Sequence, residues 1–63
     1  MLIVYVERWT GTDGEPRFPW SVWAEGRRLE MGGPGVDAAD AERQALDYCR
    51  TALGRDPDRI EHL

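Results

Sequence analysis

The first part of the chain has the pattern of a buried strand. β-branched and aromatic residues dominate residues 2–9, and such residues suit a pleated, half-buried surface. Side chains alternate between the two faces of a strand, which divides the apolar residues into two sets: Leu2, Val4 and Val6 on one face, and Ile3, Tyr5 and Trp9 on the other. Both faces are largely apolar, so the pattern predicts a central strand that is covered on both sides.

Two further strands are predicted after a polar loop. Residues 10–16 contain the turn dipeptide Asp13-Gly14 in a segment too long for a tight two-residue hairpin, so we expect an exposed loop. Residues 20–24 alternate between two faces and predict the second strand, and residues 27–31 predict the third. Glu25-Gly26 lies where a tight turn would join them. One bent strand with a bulge at Gly26 is the alternative.

A helix is predicted after a glycine-rich break. Residues 32–35 (Gly-Gly-Pro-Gly) have neither a helix nor a strand pattern and predict a connecting loop. Asp37 suits a helix N-cap, and Gly54 suits a helix terminator. Between them, apolar residues at helical spacing predict an amphipathic helix over residues 38–53. The apolar stripe comprises Ala38, Ala41, Ala45, Tyr48 and Ala52, widened by Leu46, Cys49 and Leu53.

These elements predict an α+β fold in a single domain, residues 1–63. Its core is a three-stranded antiparallel β-meander with one amphipathic helix packed on one face. Residues 56–63 leave alternatives open, because Asp56-Pro57 also suits the start of a short helix. We favour a short C-terminal strand or an extended tail for this segment.

Charge and size limit the possible partners and the compartment. The chain has eight basic residues, all arginine, against twelve acidic ones, and its net charge of −4 disfavours nucleic acid and anionic lipid. No segment is long enough for a membrane span. Cys49 is the only cysteine, which suits a reducing compartment, so we predict a cytoplasmic protein. A domain of about 60 residues has a thin core, so oligomerisation is expected to reinforce it.

The candidate reactive residues do not form a catalytic or metal-binding pattern. Cys49 lies on the apolar stripe of the helix, and His62 has no cluster of ligand-type residues at a metal-binding spacing. The glycine-rich segment lacks the lysine that a P-loop requires. We therefore predict a protein that is not an enzyme, with no catalytic residue, metal or cofactor.

Aromatic residues beside arginines are the main candidates for binding. Three tryptophans are many for 63 residues, and strand alternation cannot place all three under the helix. The candidate binding residues are Trp9, Phe18, Trp23, Arg27 and Arg28. They suggest a homodimer or a protein partner that binds through the sheet, or alternatively a surface on which single-stranded nucleic acid stacks. A solvated turn, with ion pairs from the arginines to Glu25 and Glu30, is the simplest structural interpretation of the arginine pair.

The order of these segments resembles that of HicB-like antitoxin domains. The resemblance is carried by the strand at residues 2–6, the Asp13-Gly14 turn, the strand at residues 20–24, and the helix at residues 38–53 that follows Gly35 and Asp37. It implies a protein-binding module that dimerises, of the kind found among small bacterial or phage regulatory and inhibitory proteins. It transfers no catalytic residue to this chain.

Overall fold

In the computed structural model, which describes all 63 residues, a mixed sheet carries one helix on one face. In chain order the elements are β1 (Leu2–Val6), β2 (Trp9–Thr10), β3 (Pro16–Ala24), β4 (Arg27–Gly35), α1 (Ala38–Tyr48) with a π-helical last turn (Cys49–Leu53), and β5 (Arg59–His62). The predicted α+β class is confirmed. The predicted three-stranded antiparallel meander is only part of a larger sheet, whose strands follow the order β4, β3, β1, β5.

A long hairpin forms the centre of the sheet. β1 and β2 both pair with β3 in one unbroken antiparallel register, and the Glu7 N–H bonds to the carbonyl oxygen of Pro19 between the two paired segments. The first strand, predicted over residues 2–9, is interrupted at residues 7–8 because Pro19 offers no N–H to the ladder. β3 begins at Pro16 rather than at residue 20, and the turn narrows to residues 11–15, closed by a 2.8 Å bond from Gly11 N to Glu15 O.

The tight turn predicted at Glu25-Gly26 is confirmed, since both residues have positive φ (52° and 75°) as a two-residue hairpin turn requires. β4 then continues to Gly35, so the prediction of a loop over residues 32–35 is wrong. The register between β3 and β4 shifts twice, each time with one extra residue in β4. The glycine-rich segment is therefore a bulged edge strand, in which Gly33 has a φ of 90°.

The last segment is a strand, and it lies next to the first. β5 pairs with β1 in parallel, with Arg59 opposite Ile3 and His62 opposite Val6. Of the alternatives left open for residues 56–63, the short strand is confirmed. β1 is a central strand, as predicted, but the helix covers only one of its faces. The prediction of two covered faces is wrong because the chain's single helix packs on one side of the sheet.

The helix has the predicted extent and cap. Asp37 accepts the backbone N–H of Asp40 at 2.7 Å, and the chain leaves the helix at Gly54 in the left-handed region, with a φ of 71°. Ala41, Ala45 and Cys49 are its buried residues. Small side chains on this stripe let the helix lie close to the sheet. It is not long and apolar enough to cross a membrane.

The core lies between the helix and one face of the sheet. The large residues come from the strands and the small ones from the helix, in a cluster of Leu2, Val4, Val6, Trp20, Val22, Ala41, Ala45 and Cys49. Trp20 is the largest of them. Its indole N–H donates to Gln44 Oε1 at 3.1 Å, and its ring lies 6.1 Å from that of Tyr48, measured between centroids. Gly32 faces the same ring from β4, where a Cβ would lie 2.5 Å from a ring carbon.

Two hydrogen bonds between Asp58 and Leu2 connect the start of β5 to the start of β1. The Asp58 carboxylate accepts the Leu2 N–H at 2.7 Å, and the Asp58 N–H bonds to the Leu2 carbonyl oxygen at 2.7 Å. The hydrogen bond from Leu2 lowers the pKa of the Asp58 carboxyl, and the nearby Arg55 and N-terminal amine add to this effect. At the far end of β5, His62 Nε2 lies 2.5 Å from Glu42 Oε1 of the helix.

This lowered pKa predicts a contribution of Asp58 to stability that depends on pH. A carboxyl whose pKa is lower in the folded state stabilises the fold above its unfolded pKa, here 3.8, and loses that effect as the pH falls through the folded pKa. Asp58→Asn should therefore lower the free energy of unfolding at neutral pH, and its difference from the wild type should shrink at about pH 2. Urea unfolding followed by circular dichroism at both pH values measures this.

Asp47→Asn is the matched control for that comparison. The Asp47 carboxylate meets only the exposed Arg43, at 3.5 Å, and no backbone N–H. We expect the control to remain close to the wild type at both pH values, because exposed ion pairs contribute little. A difference between Asp58→Asn and the wild type that is equal at the two pH values would contradict the prediction.

Candidate functional site

The sheet face opposite the helix has no covering element, and we call it the open face. Strand alternation and register place its central side chains in two rows that cross the sheet from β4 to β5. The first row is Arg28, Trp23, Ile3 and Arg59, and the second row is Met31, Ser21, Tyr5 and Glu61. Each row therefore has apolar or aromatic residues within it and at least one charged residue at an edge of the sheet.

An aromatic pair occupies the centre of the open face. The rings of Tyr5 and Trp23 meet edge to face, with their centroids 6.4 Å apart and their planes at 83°. The Trp23 indole N–H donates to Ser21 Oγ at 2.9 Å, and Ser21 is itself buried. Since ring packing and this hydrogen bond both fix the indole, the half-buried Trp23 presents its accessible apolar surface in a defined orientation.

Charged and flexible side chains surround this aromatic centre. On the β5 side, Arg59 Nε lies 3.2 Å from Glu61 Oε1. On the β4 side, Arg28 has no carboxylate within ion-pair distance, and Met31 is 51% exposed. An apolar centre with a charged rim is the usual composition of a surface that binds another protein.

The structure brings two of the five predicted binding residues together. Trp23 and Arg28 are direct cross-strand neighbours on the open face. Arg27 lies beside the turn, opposite Ala24. Trp9 is 58% exposed but lies further along the hairpin, where its indole N–H donates to Glu7 Oε1. Phe18 is half-buried and packs against the core, so it does not contribute to the open face.

The arginine pair does not form the ion pairs expected of a solvated turn. Glu25 instead binds the N-terminal amine at 2.5 Å, and Glu30 accepts the N–H of Met31 at 3.2 Å. Neither Arg27 nor Arg28 has a carboxylate within ion-pair distance. Their guanidinium groups are therefore free for contact with other molecules.

Sequence reasoning missed several residues of the open face, namely Ile3, Tyr5, Met31, Arg59 and Glu61. Alternation along β1 already grouped Ile3 with Tyr5, so their shared face was visible in the sequence. The sequence did not show which of the two faces of β1 the helix would cover. Arg59 and Glu61 join the face only because β5 pairs beside β1, and no local pattern indicates that pairing.

The one cleft in the structure lies away from the open face. It has a volume of about 360 Å³ and is lined by Glu15, Pro16, Arg17, Pro34, Gly35 and Val36. Arg17 is already engaged, since it donates to Asp13 Oδ2 at 2.9 Å and to the Pro16 carbonyl oxygen. The cleft thus contains the carboxyl of Glu15 and the guanidinium of Arg17, which is already ion-paired with Asp13. These two groups do not make an acid–base pair.

The remaining reactive groups are dispersed. Cys49 is completely buried in the core, and burial raises the pKa of its thiol, which keeps the thiol protonated. No three histidine, cysteine, aspartate or glutamate side chains come together in a group that could hold a metal ion. The open face is therefore the surface whose geometry supports a function best.

The comparisons with known proteins assign neither a family nor a function to this chain. The chain matches no protein-family model, no curated protein and no solved structure in the comparisons made. The arrangement of side chains on the open face is therefore the observation from which a function has to be argued.

Proposed function

We propose that this chain is a non-enzymatic protein-interaction module that binds its partner through the open face. The observation that carries the proposal is the pair Tyr5 and Trp23, packed edge to face on a sheet surface that no part of the chain covers. Tyrosine and tryptophan at the centre of an uncovered apolar patch are the residues that contribute most to protein–protein binding.

The orientation of Trp23 supports the proposal. Side chains that must be ordered on binding reduce affinity, by roughly 0.5–1.5 kcal/mol each. Trp23 is already held by the Ser21 hydroxyl and by the Tyr5 ring. Binding of a partner on Trp23 therefore costs little free energy for ordering the indole. The exposed side chain of Met31 is flexible and adapts to the partner's shape.

The proposed setting follows from the resemblance to HicB-like antitoxin domains. The order of three main strands followed by a helix is consistent with that resemblance. On this basis we propose a cytoplasmic regulatory or inhibitory protein of a bacterium or a phage, which associates through its sheet as a homodimer or with another protein.

A nucleic-acid surface is the alternative function. Arg28 lies directly beside Trp23, and its guanidinium has no acidic partner, which is the combination that single-stranded nucleic-acid binders use to stack bases and hold phosphates. Two observations weigh against it. The chain has a net charge of −4, and Glu61 lies on the same face beside Tyr5.

Photo-crosslinking in cells that carry the gene naturally tests the proposal. Tyr5→p-benzoyl-L-phenylalanine keeps the aromatic ring of residue 5 and places the photoreactive benzoyl group on the open face, and the same replacement of Ala39, exposed on the helix, is the matched control. We expect the Tyr5 position alone to give a discrete protein adduct. Trp23→Ser introduced alongside it should weaken that adduct because it removes the other half of the aromatic pair.

The same experiment separates the alternative function from the first. An adduct that nuclease removes would favour nucleic acid, and purified protein should then show quenching of tryptophan fluorescence by oligonucleotides, reduced by salt and by Trp23→Phe. Equal adducts from the Tyr5 and Ala39 positions, or none from either, would contradict the proposal that the open face is the binding surface.

A further inference from the structure

The outer edge of β5 has unpaired backbone groups. β5 pairs with β1 on one side and with nothing on the other. The Leu63 N–H bonds to the Val6 carbonyl oxygen at 2.8 Å, so the N–H groups of odd-numbered residues here point toward β1. Because backbone groups alternate in direction along a strand, the N–H and C=O groups of Ile60 and His62 point away from the sheet.

The two edges of the sheet differ in how they are protected. On β4, two bulges and Pro34 disrupt the row of donors and acceptors, and bulges and prolines are devices that block pairing with another chain. β5 has neither a bulge nor a proline between residues 59 and 62, and its register with β1 is regular. β5 is therefore the edge to which a further strand can be added.

We infer that β5 of a second copy of this chain pairs with β5, antiparallel, across a two-fold axis at Ile60. Antiparallel pairing requires the outward-facing residues of the two strands to lie opposite one another. Two registers meet this requirement with the strands well overlapped. One places Ile60 opposite Ile60 of the partner subunit, and the other places Glu61 opposite Glu61 of the partner subunit.

Charge decides between these registers. In the first, Arg59 lies opposite Glu61 of the partner subunit, and the symmetry axis repeats this opposite-charge pair. In the second, two glutamates lie directly opposite each other at the axis. Opposite charges across strands stabilise a sheet and like charges destabilise it, so the pairing at Ile60 is favoured.

The apolar side chains agree with this register. Ile60 lies in the helix-side row with Val22 and Val4 and is half-buried against the core. Pairing at Ile60 brings it against Ile60 of the partner subunit, which extends that buried row from one copy into the next. The two sheets become one continuous sheet, with the two open faces side by side.

This inference rests on the proposed function only in taking the sheet as the associating part, since it uses the backbone edge of β5 and, of the open face, only the rim residues Arg59 and Glu61. Sedimentation equilibrium over about a hundredfold range of concentration tests it. We expect a reversible dimer whose dissociation constant rises by at least about tenfold in Arg59→Glu and in Glu61→Arg, because each single change creates two like-charge pairs. The double variant Arg59→Glu/Glu61→Arg should restore the dimer, because it exchanges the charges of every pair.

Cysteine crosslinking tests the register directly. Ile60→Cys places a thiol at the axis and should give a disulfide-linked dimer under mild oxidation, since facing residues of paired strands lie within disulfide reach. Glu61→Cys, which lies at the axis of the rejected register, is the control and should give little dimer. Cys49 stays in both variants because it is completely buried. Circular dichroism of each variant checks that the fold is retained.

Several outcomes would overturn the inference. They are a monomer at every concentration, a dimer indifferent to the charge changes, and crosslinking through Glu61→Cys in preference to Ile60→Cys. If Trp23→Ser dissociates the dimer and the charge changes do not, the two copies associate through the open face and the pairing of the β5 edges is wrong. A monomer that still gives the Tyr5 photo-adduct would overturn the edge pairing and leave the proposed function standing.

Discussion

Trp20→Ala is expected to remove a large part of the free energy that keeps this chain folded. Trp20 is 7% exposed and connects β3 to the helix through Gln44 and Tyr48. Replacing a buried tryptophan with alanine costs about 3–5 kcal/mol. At roughly 0.05–0.15 kcal/mol per residue, a chain of this size has a total stability of about 3–9 kcal/mol. Urea unfolding followed by far-ultraviolet circular dichroism measures the loss.

Trp23→Ala is the matched control for that measurement. It removes the same side chain from the same strand, but from the open face, where the indole is only half-buried. We expect it to cost clearly less than Trp20→Ala, because less apolar surface returns to water. Equal losses in the two variants would show that the open face is packed as tightly as the core, which would contradict the surface described above.

Gly35→Ala is expected to have the second-largest effect, although it adds a single methyl group. A Cβ at residue 35 would lie 2.7 Å from the backbone nitrogen of Ala41 and 2.9 Å from its Cα. These are backbone atoms of the helix, so the helix must move away from the sheet and loosen the packing around Ala45 and Cys49. Overpacking of this kind costs about 1–3 kcal/mol. Thermal unfolding followed by circular dichroism detects it as a lower Tm.

Gly14→Ala separates crowding from backbone strain, the other way in which replacing a glycine destabilises a fold. A Cβ at residue 14 would have no atom within 4 Å, but Gly14 has a φ of 83°, so that variant measures backbone strain without crowding. Adding Ala41→Gly to Gly35→Ala should not restore stability, since the backbone of residue 41 remains in place. A restored Tm in that double variant would contradict the proposed clash with the backbone.

The helix could be predicted from the sequence because its determinants are local. The Asp37 cap, the alanine stripe and the Gly54 terminator all lie within the helix or next to it. The structure confirms the cap, the terminator and the stripe at Ala41 and Ala45, whereas Ala52, predicted in the same stripe, lies exposed in the π-helical turn. The turn at Glu25-Gly26 was predictable for the same reason. The strand over residues 32–35 could not be predicted in this way, because its glycines are needed for contacts with distant parts of the chain. Gly32 leaves room for the Trp20 ring, and Gly35 leaves room for the helix.

The open face could be predicted only in part. Alternation indicated that not every tryptophan fits under the helix, and Trp23 is indeed on the other side. Phe18 lies beside Arg17 in the sequence, which predicts a place among the binding residues, but in the structure it packs against the core. Arg59 and Glu61 lie on the open face only because β5 pairs with β1, more than fifty positions away in the chain. The periodicity of the sequence does not indicate such a distant pairing.

That pairing of β5 with β1 has a consequence for how the chain folds. The hairpin of β1 and β3 closes over a short loop, whereas β5 pairs with β1 across more than fifty residues of intervening chain, and such distant contacts form slowly. Until then, residues 2–6, the most continuous apolar run of the chain, have one unpaired edge. An exposed apolar edge of this kind is where misfolded chains associate. Docking of the last strand therefore pairs this edge and ends the period in which the hairpin is exposed to aggregation.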